Sequence, residues 1–468
     1  MSVLDSFLEK ISLTHCGVVV DDTGSCRANM LPRLIHDTTA CLCEGGLASR
    51  MRVLLPVRNT IESLLILFGC WHAGAIVFPV HASASPLQLE RLRHQVDPHA
   101  IILDQASARI LKDQLPRQHE VRGTRTVLAI VKPQDTQTCH FESVADVGLM
   151  SSGSTGEPKI ALHRFSSLLL NASLHAEAIS LSHNDIVGAS LPLNFSYGLV
   201  AALLAPLLTG SSCVLTKPEG LNRGLWAKRR SVSVLSLTPF TARSFIGSKL
   251  ELPFLRVLTV GGDSMPHSLA KDLLNSIPNL CLYTTYGLSE AGPRVTTCHV
   301  TPELLQAFPN IPMGSPLTGV SLDIEGGGIT GELVVRTPTA MLGYFRSAET
   351  TLSVLSPYGL HTGDFVLREG GQIFFLGRKK RIISHCGEKI FPLIIEESIR
   401  RFNGVLDAWV EGEPDREVGQ VPVAYVIPRN DELDLGDLRR FLRKHLPGSH
   451  IPREFHSVDK FPAHVIRK

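Results

Sequence analysis

No long uninterrupted apolar run exists in this chain. The longest, Leu64 to Val80, is broken by Gly69, Trp71-His72 and Gly74. It falls short of the roughly 20 apolar residues that a bilayer-crossing helix needs and reads as a buried helix running into a buried strand. An excess of either charge is also missing: 46 Lys+Arg against 44 Asp+Glu leave a net charge of +2. That balance points to neither nucleic acid nor a membrane surface as the main partner. The ten cysteines include one Cys-x-Cys (Cys41, Cys43), no Cys-x-x-Cys and no paired Cys/His spacing. Reduced, mostly buried thiols are therefore expected, and no structural metal site. The N-terminal residues carry Asp5 and Glu9 and lack the basic-then-apolar order of a secretory signal, so a cytoplasmic location is expected. Internal repeats and low-complexity linkers are absent too. At 468 residues the chain exceeds what a single hydrophobic core holds, and two or more domains are expected.

What the chain does contain is a concentrated polar loop. Residues 150–163 read Met-Ser-Ser-Gly-Ser-Thr-Gly-Glu-Pro-Lys-Ile-Ala-Leu-His, and seven of the first ten are Ser, Thr, Gly or Lys. Gly153 and Gly156 permit positive φ and close backbone approach. Ser151, Ser152, Ser154 and Thr155 supply hydroxyl donors, successive amide N–H groups can form an anion-binding concavity, and Lys159 adds a positive charge. The G-x-x-x-x-G-K-[ST] phosphate loop is not met, because Pro158 stands where its second glycine belongs and Ile160 follows the lysine.

Around this loop the chain alternates between strand and helix patterns. Strand-like segments are centred on 52–57, 75–80 and 100–103, with helices over 60–73 and 85–96 between them. A second series runs from about 144 to 300: a helix at 165–180, a strand from 186, an apolar helix at 197–208, strands at 212–216 and 232–237, and a strand from 255 running into Gly261-Gly262. This alternation argues for largely parallel α/β sheets, whose ligands lie beyond the carboxyl ends of the strands. From about 310 short strands and turns take over. After 380 a strand, a helix at 392–402, strands near 406–411 and 421–427, and a helix at 435–445 suffice for a small α+β unit.

The order Ser-Gly-Ser-Thr-Gly-x-Pro-Lys resembles the signature loop of the adenylate-forming superfamily: acyl- and aryl-CoA synthetases, nonribosomal adenylation domains and luciferases. The resemblance covers about residues 50–468. It implies a large N-terminal α/β domain, 1–379, with a β-rich subdomain at about 310–379, and a small mobile α+β C-terminal domain, 380–468, hinged at Lys380. Several further segments fit it. Tyr286-Gly287-Leu288-Ser289-Glu290 is similar to the family's Tyr-Gly-x-[ST]-Glu, in which the aromatic ring packs on adenine and the glutamate contacts the Mg²⁺ carried by ATP; a hard carboxylate oxygen suits that ion. Gly261-Gly262-Asp263 resembles the glycine turn along the adenine and the acyl pocket. Thr362-Gly363-Asp364, followed by Gly377-Arg378, matches the ribose-binding pair, with Asp364 accepting from the sugar hydroxyls and Arg378 adding a donor. The tail 460–468 resembles the segment ending in the adenylation lysine and puts Lys468 in that role. His464 and Arg467 depart from the family pattern there.

The acyl pocket falls on Leu191-Pro-Leu-Asn194-Phe195-Ser196-Tyr197-Gly198-Leu199, with Gly287 facing it. An α-ammonium buried against apolar walls needs a carboxylate beside it, and 191–199 holds no acidic residue. A plain carboxylic acid, aromatic, alicyclic or aliphatic, is thus favoured over an α-amino acid. The resemblance implies an ATP- and Mg²⁺-dependent ligase with Lys468, Glu290 and Thr155 at the chemistry, forming an acyl-AMP and releasing pyrophosphate. The acceptor stays open between a thiol (CoA or carrier-protein phosphopantetheine) and the amine of an amino acid, as in ligases of the coronafacate type. A nucleotide-binding scaffold without catalysis is the remaining alternative.

Overall fold

The computed structural model describes residues 2–13, 17–105, 117–133, 140–151, 159–216, 231–247, 253–429 and 433–462. Ser2 and Asp5 form a reciprocal cap on the helix Val3–Ser12, and Leu4, Phe7, Leu8 and Ile11 bury on one of its faces. That i, i+3, i+4, i+7 spacing is the signature of an amphipathic helix, although the first fifty residues look weakly patterned. This helix packs with Leu31–Glu44 and Ile61–His72. Gly45 and Gly46 end Leu31–Glu44, Gly46 at φ 100°.

Two large sheets follow. In the first, Val147–Ser151, Ile76–His81, Arg52–Val57 and Ala100–Asp104 lie side by side and parallel. Thr60 caps the helix Ile61–His72 that crosses between two of them, its side chain accepting from the Ser63 N–H at 3.2 Å. Antiparallel strands extend both ends: Thr126–Ile130 and Arg117–Glu120 at one, Lys159–His163 and Gly343–Tyr344 at the other. The second sheet is parallel through Val18–Val20, Ser212–Leu215, Ile186–Ala189, Val234–Leu237, Val257–Gly261 and Cys281–Gly287. Its antiparallel edges are Ser25–Arg27, Arg294–Val300 and Ser315–Pro316. Parallel register thus holds at the centre of each sheet. Where a short connection joins consecutive strands, the chain has no length for a crossover and turns back antiparallel.

The helix Phe165–Ala178 shares one core with residues of both sheets; Phe165, Leu168 and Ala172 cluster with Leu64, Phe68, Val187 and Ala189. The apolar segment after Tyr197 is a wholly buried π-helix, Gly198–Leu204, continuing into Ala205–Thr209, which Gly210 ends at φ 74°. A smaller sheet contains Ser321–Ile324, Thr330–Arg336, Leu355–Ser356, Gly359–Glu369 and Gln372–Arg378. Beyond it, Ile383–His385, Glu388–Ile390, Val405–Asp415, Gly419–Pro428 and Glu454–Ser457 form a further sheet. Its core is its own, built from Ile383, Ile390, Ile395, Val410, Ala424 and Leu438. Polar contacts tie this last unit to the rest: Arg243 Nη1 to Asp407 Oδ2 at 3.1 Å, and Arg401 Nη2 donating to the Pro309 carbonyl at 2.9 Å. Among the described residues no helix is long and apolar enough to cross a membrane.

Candidate active site

The candidate site lies at the carboxyl ends of Val257–Gly261 and Cys281–Gly287, which pair in parallel with Gly261 opposite Thr285. A Cβ on Gly261 would stand 2.4 Å from Thr285 Oγ1, and one on Gly287 would stand 2.3 Å from the Pro293 carbonyl. Only glycine lets these strand ends approach. Gly262 turns at φ 89°, and the exposed Asp263 accepts the Ser264 N–H at 2.8 Å.

Tyr286 and Glu290, at the two ends of the next segment, each engage a partner from another part of the chain. The Tyr286 phenol donates to Asp364 Oδ2 at 2.6 Å. Asp364 faces Arg378 across the hairpin of Gly359–Glu369 and Gln372–Arg378, and Arg378 Nε lies 3.1 Å from Oδ1. The carboxylate is 1 % exposed, and a buried charge persists only when so paired. Burial and the neighbouring Asp364 hold the Tyr286 phenol well above its ordinary range, so it stays a donor. The Asp364 N–H donates to Thr362 Oγ1 at 3.1 Å, and Gly363, at φ 70°, donates its N–H to Glu332 at 2.9 Å.

At the other end, Glu290 Oε1 accepts from the Tyr344 phenol at 2.7 Å, and its backbone carbonyl accepts the Met341 N–H at 2.8 Å. Burial and Glu290 push the Tyr344 phenol upward. Lys159 Nζ lies 5.0 Å over the Tyr344 ring. The Ser289 carbonyl accepts from His163 Nε2 at 2.8 Å, and its hydroxyl lies 3.2 Å from that of Ser196. His163 follows Lys159 on one strand, whose partner carries Ser151 opposite Lys159. Both ends of the polar loop are thereby held next to the segment 286–290.

The 191–199 stretch is pinned from behind. Asn59 Nδ2 donates to the carbonyls of Ala189, Leu191 and Thr216 at 2.9, 3.0 and 2.9 Å, and its oxygen accepts the Leu193 N–H at 3.1 Å. A Cβ on Gly198 would stand 2.3 Å from the Pro192 carbonyl, so the turn needs glycine. Asn194 and Ser196 are buried, whereas Phe195 is half exposed. Tyr197 reaches the strand ends, its hydroxyl 2.9 Å from Thr259 Oγ1, and the Arg294 guanidinium lies 3.5 Å over its ring.

The structure thus brings Ser151, Lys159, Ser196, Ser289, Glu290, Tyr286, Asp364 and Arg378 onto connected elements. Leu288 is buried beneath them. Lys380 is exposed in the short turn Lys379–Arg381 after the last strand of the smaller sheet. Ser152, Gly153, Ser154, Thr155, Gly156 and Lys468 lie outside the described residues. Three contributors carry no motif of their own: Tyr344, His163 and Arg294. His163 ends the signature stretch, and only its alternation with Ala161 on a strand hints that it points inward.

These connected elements are those of a nucleotide-using ligase. The chain belongs to the AMP-binding enzyme family, which it matches over residues 33–345, with the family's C-terminal domain matched over 394–468. It is an AMP-forming acid ligase that uses ATP. A 2-succinylbenzoate–CoA ligase from Oceanobacillus iheyensis is 26% identical over 422 residues, covering 88% of this chain and 85% of that protein. Among solved structures, o-succinylbenzoate CoA synthetase from Bacillus subtilis, with its acyl-adenylate intermediate, aligns at TM-score 0.82 and 20% identity over 99% of this chain and 96% of that one. The amide bond synthetase McbA from Marinactinospora thermotolerans aligns equally well, at TM-score 0.82 and 21% identity over 98% and 96%.

Proposed function

We propose that the enzyme activates a carboxylic acid lacking an α-amino group and transfers the acyl group to the thiol of CoA. One observation carries the assignment of the nucleotide site. The segment 286–290 holds a buried, charged carboxylate (Asp364) at one end and a carboxylate with an oxygen to spare (Glu290) at the other. The first suits the hydroxyls of a ribose. The second suits Mg²⁺, which takes one or two carboxylates together with phosphate oxygens and, when bound, neutralises charge on the phosphates. Only one Glu290 oxygen accepts from Tyr344, so the residue fits that ion.

In the first half-reaction the acid's carboxylate oxygen attacks the α-phosphorus of ATP, the bond to the bridging oxygen breaks, and pyrophosphate leaves. Ser151, Thr155 and Lys159 with their loop would hold the departing phosphates, Asp364 and Arg378 the sugar, and Lys468 takes the role of the adenylation lysine that the resemblance implies. This is catalysis by positioning and charge neutralisation. In the second half-reaction the thiol attacks the acyl carbon and AMP leaves, after residues 380–468 have turned about Lys380. The separate core of the last unit supports that boundary; across it lie the contacts of Arg243 and Arg401 and the Phe365–Phe391 ring contact, and an interface of this kind lets domains move relative to each other.

The absence of an acidic residue in 191–199 supports a non-amino acid, and the names of the CoA-ligase relatives support the thiol. The likeness to an amide bond synthetase favours a second reading, with an amine in the thiol's place. Acid-dependent exchange of pyrophosphate into ATP, scored over a broad acid panel that includes 2-succinylbenzoate, tests the first half-reaction. Repeating the positive acids with CoA and with free amino acids assigns the second. ATP binding with no exchange for any acid would leave a scaffold in place of a ligase.

A further inference from the structure

Arg294 is 2 % exposed, and no carboxylate among the described residues pairs with it. Its Nη1 donates to Thr285 Oγ1, and its flat face lies 3.5 Å over the Tyr197 ring. Its Nε and Nη2 are buried and have no hydrogen-bond partner among the described residues. Those two nitrogens share one edge of the guanidinium, the edge that meets a carboxylate with two parallel hydrogen bonds. The neighbouring His175 adds no second positive charge: burial and Arg294 itself hold its imidazole neutral. A buried guanidinium without an anion is costly, and aromatic stacking offsets only part of that cost.

The location gives the unpaired edge a purpose. Nη1 lies 3.1 Å from where a Gly261 side chain would begin. The charge is therefore set between the 191–199 stretch and the ends of Val257–Gly261 and Cys281–Gly287, where the proposed function places the acid. From this juxtaposition we infer that Arg294 is a specificity-determining residue that reads a second anionic group on the substrate, so the enzyme prefers a dicarboxylic acid to the monocarboxylic acid of the same skeleton. The inference rests on the acid-ligase reading for its location, and on the buried, unpartnered edge of Arg294 for its content.

The test uses matched pairs, hexanoate with adipate and benzoate with terephthalate, on the full-length wild type, Arg294→Gln and Arg294→Lys. Pyrophosphate exchange and thermal unfolding with each acid are both measured. The expected result is that a dicarboxylate exceeds its monocarboxylate partner at least about tenfold in wild type. Arg294→Gln should lower the dicarboxylate-to-monocarboxylate ratio of kcat/KM about 100-fold, the scale of removing one partner of a buried charge pair; Arg294→Lys should restore part of that ratio. A wild-type preference for the monocarboxylates, or an equal loss on both members of a pair, overturns it. If none of these four acids supports exchange, the broad acid panel decides the ligase reading, and the unfolding data decide the role of Arg294 alone. Stabilisation of wild type but not Arg294→Gln by the dicarboxylates upholds an anion site, and equal responses refute one. Unliganded Arg294→Met gives an independent sign: removing an uncompensated charge raises the unfolding temperature, whereas removing a structural arginine lowers it.

Discussion

The Tyr286 phenol donates to the Asp364 carboxylate at 2.6 Å, with Arg378 3.1 Å from the other oxygen, so this acceptor is charged and aimed before a nucleotide arrives. Asp364→Asn keeps the shape but removes the charge. Hydrogen bonds to charged groups contribute about 1.5–3 kcal/mol, so the KM for ATP should rise about 10- to 100-fold while the KM for the acid stays within about twofold. Tyr286→Phe leaves Arg378 in place and should raise the ATP KM less than about tenfold. Steady-state pyrophosphate release with ATP varied checks both; an unaltered ATP KM in Asp364→Asn would remove the residue from the nucleotide site.

Glu290 has one oxygen on Tyr344, and no described residue hydrogen-bonds the other, which suits a cation. Glu290→Gln should lower kcat about 100-fold, the scale for losing one charge-stabilising group, and move the half-maximal Mg²⁺ concentration upward. Tyr344→Phe removes only the orienting bond and should cost less than about fivefold. A Mg²⁺ dependence that does not move in Glu290→Gln would detach this carboxylate from the metal.

Two neighbouring glycines separate packing from backbone conformation. A Cβ on Gly261 would strike Thr285 and press on Arg294, whereas Gly262 has open space but φ 89°. Gly261→Ala should cost about 1–3 kcal/mol by overpacking and raise the KM for the acid. Gly262→Ala should cost about 1–2 kcal/mol through the left-handed backbone alone, with the acid KM little changed. Thermal unfolding and acid-dependent exchange on both variants check this. Equal effects on the acid would mean that Gly261 does not border the acyl pocket.

Much of the fold was legible because its helices and strands are short, regular and amphipathic or fully buried. The strand starting at Arg52, the helix at 61–72 and the strand starting at Ala100 follow directly from apolar periodicity. The edge strands were not legible. Three residues such as Ser25–Arg27 carry no period, and their neighbour Val18–Val20 pairs with Ser212–Leu215 across nearly 200 positions. The same holds for the site. Tyr286, Glu290 and Asp364 belong to contiguous motifs, but Tyr344 and Arg294 matter through what they touch. Arg294 follows Pro293 at the start of a strand, a position at which a sequence suggests a solvated edge; only the packing of Tyr197 over it reveals that its charge is buried.

His163 connects the site to pH. Burial lowers its imidazole from 6.5 to about 4, against the opposing effect of the Ser289 hydrogen bond and the Glu290 charge. Below pH 6.5 the unfolded chain takes up a proton that the folded protein refuses, so stability falls as the pH drops from 6.5 towards 4 and levels off below that. A difference of about 2.5 pKa units at about 1.4 kcal/mol each corresponds to about 3 kcal/mol. His175, also buried and also lowered, acts in the same direction. His163→Gln keeps a donor for the Ser289 carbonyl but does not titrate. Its loss of stability between pH 7 and pH 4.5, measured by denaturant unfolding, should be smaller than that of wild type by about 2–3 kcal/mol. Because that bond fixes Ser289 beside Glu290, the variant should also retain its exchange rate at pH 7. An acid limb as steep as that of wild type would show that His163 is already charged in the folded enzyme, and the hydrogen bond at 2.8 Å would then come from an imidazolium.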